Sequence, residues 1–209
     1  MVTAILAGMD RLWTPWRYSY VTSADTMDRR KGVPESLGSW PVDEDKGCVF
    51  CNMIAAVDYA IRNGMDAEEA ERAIFLVERG RTSFVCLNAF PYGTGHVLMV
   101  PYQHCDSLAA LPASTAQELM QTMQRVERCL REVYQPDGFN FGLNLGEAAG
   151  AGIAEHLHIH GLPRWSGDVN FMTVVGETRV LPEALDVTWK RLREALRQRG
   201  PATKNASCQ

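Results

Sequence analysis

The run His156-Leu157-His158-Ile159-His160 leaves the backbone little choice if its three imidazoles are to act together. On a helix, residues two apart diverge by about 200°, and the rings would scatter around the axis. In extended chain they fall on one side, with Leu157 and Ile159 on the other, roughly 6 to 7 Å apart along the strand. Residues 156–162 are therefore expected to form a strand. The chain has only five histidines, and the other two, His96 and His104, bracket a second β-like run, Val97 to Val100. A histidine-rich strand that merely packs, or gathers adventitious metal, is the plain alternative; three histidines in strict alternation favour a site. Neutral imidazole is abundant near pH 7 and attacks phosphorus to give a phosphoramidate, provided its second nitrogen has a fixed acceptor.

The rest of the chain indicates what surrounds that strand. Ile74–Val77 and Ser83–Leu87, separated by Glu78-Arg79-Gly80-Arg81, read as a hairpin, and a short acidic helix from Asp66 precedes it. His96–Val100 is a third strand after the turn 91–95. Leu119, Met120, Met123, Val126, Leu130 and Val133 recur at helical spacing between Ser114 and Tyr134. Ser114 or Thr115 is a candidate cap, and Pro136-Asp137-Gly138 a stop. Phe139–Leu145 and 156–162 are two more strands, and an amphipathic helix spans Pro182–Arg199. Strands gathered around one long helix predict an α+β fold: an antiparallel sheet of about five strands, a long helix and a C-terminal helix.

Residues 1–47 read as an arm rich in aromatics (Trp13, Trp16, Tyr18, Tyr20) and broken by Gly and Pro; residues 48–175 form the main domain, and 176–209 a helix and tail. A net charge of −4 lacks the clustered Lys and Arg of a nucleic-acid footprint. No stretch reaches the ~18 to 20 apolar residues of a membrane span, and Met1–Gly8 lacks the basic start of a secretion signal. Of the six cysteines only Cys48 and Cys51 have motif spacing, while Cys86, Cys105 and Cys129 read as small buried hydrophobes. A reducing cytoplasm is the expected compartment.

The motifs together resemble the histidine triad (HIT) family, whose mark is His-φ-His-φ-His-φ-φ. Asn88 to Pro101 is similar to that family's glycine-histidine strand, and Asn144-Leu145-Gly146 with Gly150-Ala151-Gly152-Ile153 to its phosphate-side loop. The Trp-rich start, the Cys48/Cys51 pair and Pro163-Arg164-Trp165 with Asn170-Phe171-Met172 look most like the bacterial diadenosine tetraphosphate phosphorylases of that family. The resemblance implies His158 as nucleophile and His160 as a phosphate ligand. It implies Asn88 at the ribose, Asn144 and the amides of Gly150, Ala151, Gly152 and Ile153 at phosphate oxygens, and His96 nearby. It also implies an adenine nucleotide substrate, phosphate or water as acceptor, and a homodimer whose sheet continues across the interface. Two positions depart from the pattern. Gly161 stands where a bulkier apolar residue is usual, leaving either a hole or a close approach. Gly152 and Ile153 stand where many relatives carry Gln and a hydroxyl residue, so no side-chain hydroxyl serves the leaving group there.

Cys48 and Cys51 have zinc-knuckle spacing. An unmetallated pair and a redox dithiol are the alternatives, the latter lacking a βαβ context. By resemblance, His104 and His156 complete a structural zinc site. The function so implied is cleavage of dinucleoside polyphosphates through a nucleotidyl-His158 intermediate. A hydrolase using water on these or on phosphoramidates, a hexose-phosphate nucleotidyltransferase and a non-catalytic nucleotide sensor are the competing readings.

Overall fold

The computed structural model describes residues 32–38, 40–168, 175 and 183–199. The four aromatics of the arm, Asn170–Met172, Pro182 and Cys208 lie outside the described residues. Five strands, β1 (Leu76–Arg79), β2 (Ser83–Leu87), β3 (Val97–Pro101), β4 (Gly138–Gly142) and β5 (Ile159–Arg164), form one sheet. Their order is β1-β2-β3-β5-β4, and every pairing is antiparallel. Among the described residues, four α-helices accompany them: α1 (Val49–Arg62), α2 (Ala67–Ala73), α3 (Ala113–Tyr134) and α4 (Leu185–Arg199).

The sheet has a core on each face, which explains why β2 and β3 are buried at every position. Val85, Leu87, Val97 and Met99 pack with Leu119, Val126 and Leu130 of α3 and Trp189, Leu192 and Leu196 of α4. Phe84, Cys86, Leu98 and Val100 face the other way, onto Phe50, Val57 and Ala60 of α1 and Ala70 of α2. Each large side chain so buried contributes about 1.5–3 kcal/mol. α4 is thus built into the first core, and Leu37 and Trp40, ahead of α1, into the second. Burial pushes the Cys86 thiol up to about 12, as suits a sulfur used for packing. Cys129 is likewise buried, while Cys105 is partly exposed.

Several element boundaries move. α2 starts as expected, with Asp66 accepting from the amides of Glu68 and Glu69. It runs far enough that Phe75 must turn the chain at φ 52°, so β1 begins at Leu76 and takes in Glu78 and Arg79. Those charges sit in the strand because each has an ion partner: Arg125 for Glu78, and Asp58 and Glu71 for Arg79. α3 begins one residue earlier than Ser114, capped by the backbone of Pro112; Thr115 is buried and caps nothing. Met120 is exposed, unlike the rest of its stripe. β4 is Gly138–Gly142, not 139–145, and β5 starts at Ile159, not 156. The helix α1 has no counterpart among the sequence expectations.

Gly161 marks a close approach and not a hole. It pairs with Phe141 across β4–β5, and a Cβ there would lie 2.8 Å from the Phe141 ring and 3.1 Å from Val97. The ring occupies the space a side chain would take, so Gly161→Val is expected to cost about 2 kcal/mol by overpacking. Chemical denaturation would measure it, and Phe141→Ala should recover part of the loss.

Glu118 of α3 fastens the β1–β2 turn to the helix. One carboxylate oxygen accepts from the amides of Thr82 (2.8 Å) and Ser83 (3.1 Å) and from the Ser83 hydroxyl (3.1 Å). Burial alone would raise this carboxyl, but the Thr82 and Ser83 hydrogen bonds outweigh it and hold it below the usual carboxylate range. A lowered folded value means that the contribution is present above about pH 4.3 and lost as pH falls through the folded value. Glu118→Gln is therefore expected to destabilise by about 1–2 kcal/mol near neutrality. The gap to the unsubstituted protein should close in acid, as read by unfolding at several pH values.

Candidate active site

Leu157 and Ile159 enter the core beneath α3 and α4, which turns His156, His158 and His160 to the opposite face. The alternation expected of the run therefore holds, although only its second half belongs to the sheet ladder. Ahead of β5 the chain is held by the Leu157 amide, which donates to the Cys105 carbonyl at 2.7 Å. His156 and His158 are buried beside Phe50, whose ring centroid lies 5.4 Å and 5.1 Å from theirs. His160, partly exposed, has its ring centroid 4.9 Å from that of His158.

The backbone fixes the tautomer of His158. Its Nδ1 lies 2.8 Å from the carbonyl oxygen of His156, which can only accept, so Nδ1 carries the proton. Nε2 is left with its lone pair. Burial lowers the pKa of the ring, partly offset by that carbonyl and by Glu155, so the neutral, nucleophilic form is favoured.

His156 faces a different set of atoms. Its Nε2 donates to the Pro101 carbonyl at 2.9 Å, which turns Nδ1 toward Cys48 Sγ (3.3 Å), Cys51 Sγ (3.6 Å) and His104 Nδ1 (3.3 Å). Cys51 Sγ is also 3.6 Å from His104 Nδ1. Zinc bonds of about 2.0–2.1 Å to nitrogen and 2.3 Å to sulfur give tetrahedral edges of about 3.3 Å (N–N) and 3.5 Å (N–S). The distances from His156 to Cys48, Cys51 and His104 and from Cys51 to His104 match these edges, and the four ligand atoms all lie within 4.8 Å of one another. Burial, and after it the neighbouring Cys48, push the Cys51 thiol up to about 12, a cost that a divalent cation between the sulfurs would remove. Cys48 is the N-cap residue of α1, and Asn52 holds its loop by accepting from the Lys46 amide and donating to Asp45.

His96 is buried with both ring nitrogens engaged. Nδ1 accepts from the Tyr92 amide at 3.0 Å with the Asn88 amide nitrogen 3.4 Å away, and Nε2 meets His160 Nδ1 at 2.9 Å. Burial, then the neighbouring His160 and His158, lower its pKa to about 3. Asn88 turns its side-chain oxygen to the Phe90 amide, at the end of β2. Asn144 reaches the Gly150 carbonyl at 3.5 Å across an exposed loop. Within that loop the amides of Gly150 and Ala151 bond the carbonyls of Glu147 and Gly146. Gly150, at φ 87°, permits this turn. The structure thus brings the four expected metal ligands, Cys48, Cys51, His104 and His156, into one cluster that could hold a metal ion, and sets His158, His160, His96 and Asn88 in another. Phe50, inside the Cys-x-x-Cys, and Tyr92, four residues before His96, carry no site role among the sequence expectations, yet both rings lie against the histidines.

Residues 69–167 match the family described as HIT domain. AP-4-A phosphorylase of Mycobacterium tuberculosis is 36% identical over 184 residues, 88% of this chain and 83% of that protein. The chain belongs to the HIT family. Among solved structures, a Zn-bound histidine triad family protein from Mycobacterium smegmatis is similar with a TM-score of 0.53 at 29% identity, covering 72% of this chain and 94% of that one. A hypothetical histidine triad nucleotide-binding protein from Sulfolobus tokodaii shares the fold, with a TM-score of 0.54 at 23% identity over 73% of this chain and 93% of that one. The five-stranded antiparallel sheet with its helices is therefore a HIT fold. Among the described residues, no helix is long and apolar enough to cross a membrane.

Proposed function

We propose that this HIT protein is a dinucleoside polyphosphate phosphorylase that forms a covalent nucleotidyl-His158 intermediate. The observation that carries the reading is the Nδ1–H bond from His158 to the His156 carbonyl, which leaves Nε2 as an unprotonated, buried nucleophile. The similarity to AP-4-A phosphorylase supports the choice of diadenosine tetraphosphate as substrate.

In this reading the Nε2 lone pair attacks the α-phosphorus, a P–N bond forms, and the P–O bond to the departing ATP breaks. Nδ1 keeps its proton throughout, and the His156 carbonyl stabilises the cationic ring that results. An oxygen of inorganic phosphate then attacks the same phosphorus, the P–N bond breaks, and ADP leaves. His160 donates to the phosphate under attack. Asn88 reaches the ribose, and Asn144 orders the loop whose Gly152 and Ile153 amides receive phosphate oxygens in place of the absent hydroxyl. Cys48, Cys51, His104 and His156 would hold zinc, and it would be structural, since four protein ligands leave no open position. Bound there, it would tie the start of α1 to the chain leading into β5.

The test is incubation with diadenosine tetraphosphate with and without phosphate, products being separated by chromatography. ADP plus ATP only when phosphate is present is the expected result. AMP plus ATP regardless of phosphate would make the protein a hydrolase.

A further inference from the structure

The five histidines divide between the metal cluster, the nucleophile and one further pair, His96 with His160. His96 is only 2% exposed, and neither of its nitrogens is available to a phosphate. Its partners fix its proton. The Tyr92 amide can only donate, so His96 Nδ1 must accept. The Asn88 side-chain oxygen is taken by the Phe90 amide, so the group that Asn88 presents to the same nitrogen is its NH2. With two donors facing Nδ1, the single proton of neutral His96 resides on Nε2, 2.9 Å from His160 Nδ1. That nitrogen of His160 must in turn accept, and the proton of neutral His160 resides on its Nε2.

We propose that His96 is a positioning residue that locks His160 as a neutral Nε2–H donor, so that His160 hydrogen-bonds the reacting phosphate but does not serve as a proton-shuttling acid. Protonating His160 on Nδ1 would set two N–H groups against each other at 2.9 Å with no acceptor between them. His96 cannot yield by turning over, because its ring lies against Tyr92 at 4.7 Å between centroids and Tyr92 also stacks on His160 at 5.9 Å. The low pKa of His96, which burial sets first, agrees with a ring that stays neutral at any working pH. The lock therefore runs from the Tyr92 amide through two rings to His160 Nε2. Its consequence for catalysis rests on the phosphorus chemistry proposed above; the tautomer itself does not.

Ring-nitrogen NMR of histidine-labelled protein reads the tautomer directly, and five histidines can be assigned by single substitution. The expected result is a bare Nδ1 and a protonated Nε2 on His160. His96→Phe, which keeps ring volume but removes the donor, should convert His160 to a mixture of tautomers. His96→Gln, whose amide NH2 lies where Nε2 was, should restore the original signal. In turnover, His96→Phe should lower kcat by about 10- to 100-fold with KM changed far less, and His96→Gln should recover most of it. Because His96 acts through His160, His96→Phe combined with His160→Ala should lose much less than the product of the two single losses. A wild-type His160 protonated on Nδ1, a His160 tautomer unmoved by His96→Phe, or multiplying losses would each overturn the proposal. If His96→Phe does not fold, the wild-type spectrum still decides it. If diadenosine tetraphosphate is not turned over, the function proposed above fails while the spectra still judge the lock.

Discussion

His158→Asn is expected to lower turnover of diadenosine tetraphosphate by on the order of 10⁴-fold or more, the scale on which removing a nucleophile acts. The loss should be that large because the other groups of the site can only bind or orient. His156 is turned toward the thiols, and His96 has both nitrogens engaged by the Tyr92 amide and His160. His160, with its Nδ1 facing His96 Nε2, is not presented as the unprotonated nitrogen that His158 offers. The substitution should leave unfolding and metal content near those of the unsubstituted protein, since Asn removes a ring from the wall without adding bulk. A quench during turnover with substrate labelled at the α-phosphate should capture label on the unsubstituted protein, labile in acid as a phosphoramidate is, and none on His158→Asn. Equal turnover by the two proteins would refute the assignment of the nucleophile.

Removing the metal is expected to have the largest effect on stability. Cys51→Ser is the informative change, because Cys51 is only partly buried and its loss leaves little cavity. Structural zinc supplies more than 10 kcal/mol in small fingers that have no other core, but this chain also has a core on each face of its sheet. A loss on the order of 4 kcal/mol is the expectation, which lowers Tm by roughly 8 to 16 °C for a chain of this size. Elemental analysis should show about one zinc per chain in the unsubstituted protein and a deficit in Cys51→Ser. A Cys51→Ser protein that kept its full metal content would remove Cys51 from the ligand set. Turnover should fall alongside stability, because His156, whose carbonyl faces His158 Nδ1, is itself one of the four residues proposed to hold the metal. Adding zinc to chelator-treated protein should return both together.

The alternation of His156, His158 and His160 was legible because it is a local property: extended chain sends alternate side chains to opposite faces whatever else surrounds it. The same holds for α3, whose apolar stripe reports its buried side, and for the Cys48/Cys51 spacing. α1 is not among the expectations although Phe50, Val57 and Ala60 carry a helical pattern, because the Cys-x-x-Cys at its start reads as a metal-binding loop. The edges of β1 and β5 moved because strand limits depend on partners: Phe75 reverses direction to meet α2, and Leu157 bonds Cys105 and not the ladder. Gly161 alone is compatible with a hole or a close approach, and the Phe141 ring across from it makes it a close approach.

What the sequence determined by itself was the strand geometry of the triad and the α+β class, which follow from residue order and periodicity, and the resemblance to the HIT family, which its motifs carry. What only the tertiary structure supplied was the set of partner atoms that would enforce the division of labour among the histidines implied by the resemblance. That division depends on which carbonyl, amide or sulfur lies within about 3 Å of each ring nitrogen. Such neighbours come from segments up to 108 residues apart, as with Cys48 and His156, and no local pattern encodes them.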